Sequence, residues 1–264
     1  MKKKIVDRPP VTEPRLRQDL RELGVREGSL VVVHSSLSSL GWVLGGAPPV
    51  VRSLVDALGP EGTLAMPAAT PLCADPATWE SPRIPDGWLE EVREHLPVFD
   101  PETTPTSLGA IPETFRNWPG TLRSHHPIES VCARGPLAAE IVRDHPLEYS
   151  EGPGSPFAKL HELGAWILLL GVGFNRCTAL HFAESLVENR RTTSVRFPLL
   201  EEGRRIWKEV PNVADDNDTH LPRFGERFLA AGGPTRGRVG EARALLFSMG
   251  RLVAYARKYF EREL

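Results

Sequence analysis

Residues 163–184 read LGAWILLLGVGFNRCTALHFAE. An apolar run of strand length, 165–170, empties into Gly171, Gly173 and Asn175, and a helical pattern follows over 177–189. This order puts His181 and Glu184 on the first turns of a helix that leaves a strand. In an open α/β sheet such turns lie at the carboxyl ends of the strands, where ligands usually bind. A histidine and a carboxylate three apart share one helix face. The carboxylate can then hold the imidazole or a nearby cation while the other ring nitrogen handles a proton. On spacing alone, the segment is equally a capped helix with an exposed histidine.

Working outward, short apolar runs alternate with helical patterns, the signature of an α/β layer fold. An amphipathic helix is expected over 12–23, ended by Gly24, then a buried strand at 29–34, a helix at 48–58 and a strand at 63–67. From 71 to 119 the chain is rich in proline and carries Trp79, Trp88 and Trp118, and it reads as a long excursion over the sheet. A helix is expected at 136–144, a strand at 165–170 and a helix at 177–189. Residues 194–200 and 204–209 read as a hairpin turning at Glu202-Gly203, and 240–263 as one helix, basic on one face. Nothing marks a linker, so one domain over 1–264 is expected, with 1–10 as a flexible extension.

Composition excludes several classes. The 264 residues carry a net charge of -2 with acids and bases interspersed, which is not the basic footprint of a nucleic-acid binder. Cys73, Cys132 and Cys177 are odd in number and widely spaced, against a disulfide framework or a structural zinc site. The basic start MKKKIVDRPP is followed by no apolar segment of the signal-peptide kind, and no apolar run reaches membrane-spanning length. A soluble protein of the reducing cytoplasm, with no membrane partner, is the expectation.

Two further stretches carry candidate chemistry. Residues 34–49, HSSLSSLGWVLGGAPP, follow a strand and open a helix with Pro48 and Pro49. Such a loop can approach a phosphate closely and offer hydroxyls and amides to it. It is neither a Walker loop nor a dinucleotide fingerprint, and on composition it is equally a serine-rich turn. In 121–130, TLRSHHPIES, Arg123 and Ser124 can reach a phosphate or an amide. Pro127 biases His126 toward an extended backbone, so His125 and His126 point in opposite directions.

These elements, with MPAAT at 66–70, FDPETTP at 99–105, GAIPETFR at 109–116 and GPGSPFAKL at 152–160, occur in the order of the aminoglycoside 3-N-acetyltransferases, which the chain resembles from about Val11 to its carboxyl end. The resemblance implies an α/β fold with a mixed sheet flanked by helices, distinct from the Gcn5-related acetyltransferases. It also implies transfer of an acetyl group from acetyl-CoA to the 3-amino group of a deoxystreptamine aminoglycoside, conferring resistance. By position, His34, Ser35, Ser36, Leu37, Ser38, Ser39 and Gly41 match the loop that contacts CoA, with Arg123 and Ser124 as further CoA-side candidates. Ser124 and His126 match the family's SxHP element, and His181 with Glu184 match its active-site segment. Ala68 and Ala69 stand where many relatives carry a hydroxyl and an aromatic residue, and Cys177 where they more often carry asparagine or aspartate.

The implied chemistry needs a base, because an ammonium cannot attack a thioester, and a donor to the oxyanion that develops on the carbonyl. His181 is the first candidate base, with Glu184 orienting it or holding the ammonium, and His126 is its rival. Thr70 or a loop amide is the candidate oxyanion donor. For a polycationic antibiotic or related polyamine sugar, the candidate carboxylates are Glu184, the run Asp215, Asp216 and Asp218, and Asp75 and Asp100. The acidic run is equally a solvated turn. No metal is expected, although His34, His126, His181 and Glu184 contain ligand types for a metal hydrolase. Two competing readings are an acyl-enzyme on Cys177, four residues before His181, and a non-catalytic CoA-binding sensor. Monomer and homodimer both stay open.

Overall fold

Apolar runs buried on both faces build the middle of a seven-stranded sheet, as parallel strands covered by helices on each side require. The computed structural model describes residues 7–214 and 219–264. In chain order the elements are α1 (Glu13–Leu23), β1 (Leu30–Ser35), α2 (Ala47–Leu58), β2 (Thr63–Pro67), α3 (Leu89–His95), α4 (Ala110–Arg116), β3 (Leu122–Arg123), β4 (Val131–Arg134) and α5 (Ala138–Val142). They continue with α6 (Pro156–Glu162), β5 (Trp166–Leu170), α7 (Ala179–Ser185), β6 (Thr192–Glu201), β7 (Arg204–Val213), α8 (His220–Ala230), β8 (Thr235–Val239), β9 (Ala242–Ser248) and α9 (Met249–Glu263).

The sheet order is β3-β4-β2-β1-β5-β9-β8. β1 runs parallel to both β2 and β5, and the outer strands are antiparallel, so the sheet is mixed. Side-chain alternation divides the core in two. Val31, Val33, Leu168 and Leu170 face α1, α2 and α4, while Val32, Ile167 and Leu169 face α5, α6, α7, α8 and α9. Each fully buried aliphatic or aromatic side chain contributes roughly 1.5–3 kcal/mol relative to exposure, so these two layers carry the stability of the site between them. The chain leaves β1 to form β2 on one side, while β5 adds on the other. The gap between the carboxyl ends of β1 and β5 is therefore a topological switch point.

α1 ends as expected at Gly24, whose φ of 112° releases the chain from the helix. The 71–119 excursion consists of short turns plus α3 and α4. β6 and β7 pair from Thr192↔Val213 to Glu201↔Arg204, and Glu202 and Gly203 turn with φ of 51° and 74°. Asp75 fastens this hairpin to the excursion. Its carboxylate accepts from Arg93 Nε at 3.0 Å and from Arg196 Nη1 at 3.2 Å.

Two expectations need correction. The segment 240–263 is a strand followed by a helix, because Ala242–Ser248 pairs with β5 through Leu168↔Leu246 and its neighbours, and Ser248 then caps α9. Sheet pairing overrides the helical pattern there. The helix expected at 177–189 is the shorter α7, preceded by a 3-10 turn over Phe174–Arg176. Of residues 1–10, 1–6 lie outside the described residues, Arg8 pairs with Glu241 at 3.0 Å, and Val11, just beyond, bridges to Val43.

Candidate active site

The carboxyl ends of β1, β2 and β5 open into a cavity of about 950 Å³. One wall is the end of β1 and the loop that follows it. The loop lies against β5 because Ser36 N donates to Leu170 O at 3.0 Å and Ser39 Oγ donates to Gly171 O at 2.9 Å. Only glycine fits at 171. Its φ is 74°, and a Cβ there would lie 2.5 Å from Ser39 Cβ. Gly41 shows the same kind of close approach, since a Cβ would lie 2.7 Å from the Glu241 carboxyl carbon.

His34 and Ser35, in the cavity lining, keep buried polar atoms without a hydrogen-bond partner among the described residues: His34 Nε2 and Ser35 Oγ. Buried polar groups are ordinarily paired, so these two are exceptions within the cavity lining. Burial, and beyond it the charge of His181, push the His34 imidazole down to about 3, which keeps this ring neutral.

His181 lines the cavity from α7, together with Asn175, Arg176 and Thr178. Glu184, one turn further, does not. It is fully buried and accepts from Arg191 Nε and Nη2 at 3.0 Å each, a bidentate pair that ties α7 to the start of β6. Ala69 lines the cavity near Pro67 and Pro71, whereas Ala68 sits in the core. The facing wall carries Glu129, Glu151 and Asn212. Neither carboxylate stands out in the sequence, where density of charge is the visible signal. Glu129 lies inside TLRSHHPIES, and Glu151 just before GPGSPFAKL.

Several residues expected at the site lie elsewhere. Thr70 is buried and its hydroxyl donates to Pro127 O at 2.6 Å. Arg123 stacks on Phe99 and donates to Ser130 Oγ, Thr104 O and Ala68 O, inside the fold. Ser124 Oγ contacts His145 Nδ1 at 2.8 Å and accepts from Val131 N at 2.8 Å. His126 is completely buried, its Nδ1 accepting from Ile128 N and Glu129 N and its Nε2 lying 3.3 Å from Leu147 O. Asp75 is held by the two arginines. Asp100 is exposed and organises its own turn by accepting from Glu102 N and Thr103 N. Asp215, Asp216 and Asp218 lie outside the described residues.

Cys177 is 1% exposed in the core, and burial pushes its thiol up to about 12, the opposite of an activated nucleophile. Among the described residues no group of three or more His, Cys, Asp or Glu is placed to hold a metal ion, and no helix is long and apolar enough to cross a membrane.

The family model described as aminoglycoside 3-N-acetyltransferase matches residues 32–261. An aminoglycoside N(3')-acetyltransferase-like protein from the SPbeta prophage of Bacillus subtilis (strain 168), YokD, is 37% identical over 98% of this chain and 96% of its own. The crystal structure of YokD superposes with a TM-score of 0.92, at 36% identity over 97% of this chain and 95% of that one. Aminoglycoside N(3)-acetyltransferase IX of Micromonospora chalcea is 34% identical over 97% of this chain and 95% of its own. Among solved structures, a type IIIb enzyme in binary complex with CoASH (TM-score 0.84, 31% identity, 97% and 98% covered) and a type VIa enzyme bound to sisomicin (TM-score 0.85, 31% identity, 96% and 98% covered) share the whole fold. With the family model covering the carboxyl ends of all three strands that frame the cavity, the chain belongs to the aminoglycoside 3-N-acetyltransferase family.

Proposed function

We propose that the protein transfers the acetyl group of acetyl-CoA directly to the 3-amino group of a deoxystreptamine aminoglycoside, with His181 as general base. The observation that carries this reading is the arrangement of one cavity. A histidine and two polar atoms unpartnered among the described residues line it at the switch point, and two carboxylates line it as well.

Acetyl-CoA fits the β1 side as cosubstrate, where Ser35 Oγ and His34 Nε2 await a partner and Arg176 brings a positive charge. When bound, it supplies an acyl carbon bonded to a good thiolate leaving group. His181 removes a proton from the substrate ammonium, which frees a lone pair for attack. The new C–N bond forms as the C–S bond breaks, giving amide, CoA thiol and one released proton. Thr70 gives its hydroxyl hydrogen to Pro127 O, and among the hydroxyls of the lining Ser35 Oγ has no partner among the described residues, so Ser35 donates to the developing oxyanion.

Glu129 and Glu151 receive the other ammonium groups of a polycationic sugar. Glu184 acts at one remove, holding α7 and hence His181 in place through Arg191.

The test is to mix protein, acetyl-CoA and a panel of deoxystreptamine aminoglycosides and to follow free thiol. Thiol released in step with a singly acetylated antibiotic, modified at the 3-amino group, is the expected outcome. Thiol release without antibiotic, or none with any member of the panel, defeats the reading.

A further inference from the structure

Two neutral histidines behind the carboxylate wall are bonded in a way that ties two loops together. His126 and His145 lie against each other with ring centroids 4.7 Å apart and planes tilted by 32°, and Phe197 of β6 meets His126 edge-on at 5.8 Å. The tautomers follow from their neighbours. His126 Nδ1 accepts from Ile128 N at 3.2 Å and Glu129 N at 2.9 Å, so it carries no proton and Nε2–H is left to donate to Leu147 O at 3.3 Å. His145 Nε2 lies 2.7 Å from Ser150 O, a carbonyl, so it is the donor there. Its Nδ1 then accepts from Ser124 Oγ, 2.8 Å away, whose oxygen accepts from Val131 N.

Each ring thus reaches both loops. His126 joins 128–129 to Leu147, and His145 joins Ser124 to Ser150. The first loop carries Glu129 and the second Glu151, the two cavity carboxylates. The second loop is also pinned to the hairpin, with Tyr149 N donating to Pro211 O at 2.9 Å and Ser150 N donating to Asn212 Oδ1 at 3.2 Å, and within the loop Ser150 Oγ donates to Glu151 Oε2 at 2.6 Å. Asn212, the third polar residue of that wall, donates from Nδ2 to Ser150 Oγ at 3.0 Å.

We propose that His126 and His145 are positioning residues, a neutral double strut that fixes the loop of Glu129 against the loop of Glu151 and so sets the spacing of the carboxylates that receive the amine substrate. The role in substrate binding rests on the proposed acetyl transfer, while the mechanical coupling of the loops stands apart from it. Both rings are buried and neither lines the cavity of His181, while His145 borders a separate cavity with Arg123 and His125. Their influence passes through the backbone amides and carbonyls they bond. Desolvation keeps them uncharged, to about 4 for His126 and about 3 for His145, with the mutual repulsion of the two rings and the charge of Lys159 adding to the effect at His145. Protonating His126 Nδ1 would set an N–H against two N–H donors. The strut therefore needs the neutral form.

The experiment combines backbone hydrogen exchange with steady-state kinetics on His126→Leu, His126→Asn and Glu151→Gln. His126→Leu should speed exchange at least tenfold in both 125–131 and 145–152 while leaving β1 and β5 protected. It should raise the aminoglycoside KM roughly tenfold, a loss of about 1.4 kcal/mol, with the acetyl-CoA KM unchanged. His126→Asn places an oxygen near the Nδ1 position and cannot reach Leu147. It should restore protection at 128–129 and leave 145–152 loose, and it carries the test if His126→Leu does not fold. Faster exchange confined to one loop in His126→Leu, uniform loosening of the whole molecule, or an unchanged aminoglycoside KM in a variant whose loops have loosened would overturn the proposal. If the unaltered protein acetylates no aminoglycoside, the functional reading falls and the exchange pattern alone decides the strut. If Glu151→Gln raises the aminoglycoside KM and His126→Leu does not, the strut falls and the functional reading stands.

Discussion

Two pairs of histidines flank the cavity region, and they differ in how their nitrogens are engaged. His34 and His181 border the cavity on the strand-end side, and His34 Nε2 has no partner among the described residues. His126 and His145 sit outside the cavity lining, and every ring nitrogen is engaged by the protein. Burial depresses three of these four imidazoles alike, His34 to about 3, His126 to about 4 and His145 to about 3. Desolvation therefore does not separate a histidine of the cavity lining, His34, from the two bonded behind it. The engagement of the ring nitrogens does, since His145 borders a second cavity of about 810 Å³ yet both of its nitrogens are bonded to the protein.

The largest effect that follows is at His181. His181→Ala should cut turnover by roughly 10²- to 10⁴-fold, the usual contribution of a general base, while calorimetric acetyl-CoA affinity stays close to that of the unaltered protein. The strut variants, by contrast, should act mainly on the aminoglycoside KM. A His181→Ala protein of near-normal turnover would erase the distinction between the pairs.

Acid stability comes next, and it reads the three buried rings together. An unfolded histidine takes up a proton near pH 6.5, but the buried rings refuse it until about pH 3–4. Between those limits the unfolded chain binds more protons, so stability rises with pH and is lost as pH falls from about 6.5 toward 4. Each ring contributes a slope approaching ~1.4 kcal/mol per pH unit. His126→Asn and His145→Gln should each remove about one proton from that slope. Urea midpoints measured from pH 4 to 7 check this, and an unaltered slope would show that the rings titrate in the native state.

Much of this was legible in the sequence, and the failures have physical causes. The strand, glycine turn and helix of 163–184 were readable because the alternation and the glycines record local geometry, and His181 lies on that helix in the cavity lining. The hairpin at Glu202-Gly203 was equally readable, since left-handed turn residues have few substitutes. The strand Ala242–Ser248 was not, because its pairing with β5 depends on residues some 75 positions away. Glu129 and Glu151 were missed for a related reason. They come from different loops, converge only in the fold, and stand alone in sequence. His126 read as a rival base because a motif reports residue type and spacing but not which nitrogens the backbone has already claimed. His145, 19 residues from it in a loop without a motif, gave no signal at all.

The smallest effect is the sharpest comparison, because one substitution is made on both sides of the cavity. Ser124→Ala removes an oxygen that serves Val131 N and His145 Nδ1, leaving buried groups unpaired. Such a loss costs about 1–3 kcal/mol, and thermal unfolding should show it. Ser35→Ala removes a buried hydroxyl that has no partner among the described residues. Nothing is orphaned, so stability should stay within about 0.5 kcal/mol or rise slightly. The cost should appear only with substrate present, as a several-fold slower turnover or a higher acetyl-CoA KM, because the hydroxyl's partner is then the acetyl donor itself. Destabilisation by Ser35→Ala equal to that of Ser124→Ala would mean that the β1 loop commits its polar atoms to the fold, just as the strut does, and that the donor is held from elsewhere in the cavity.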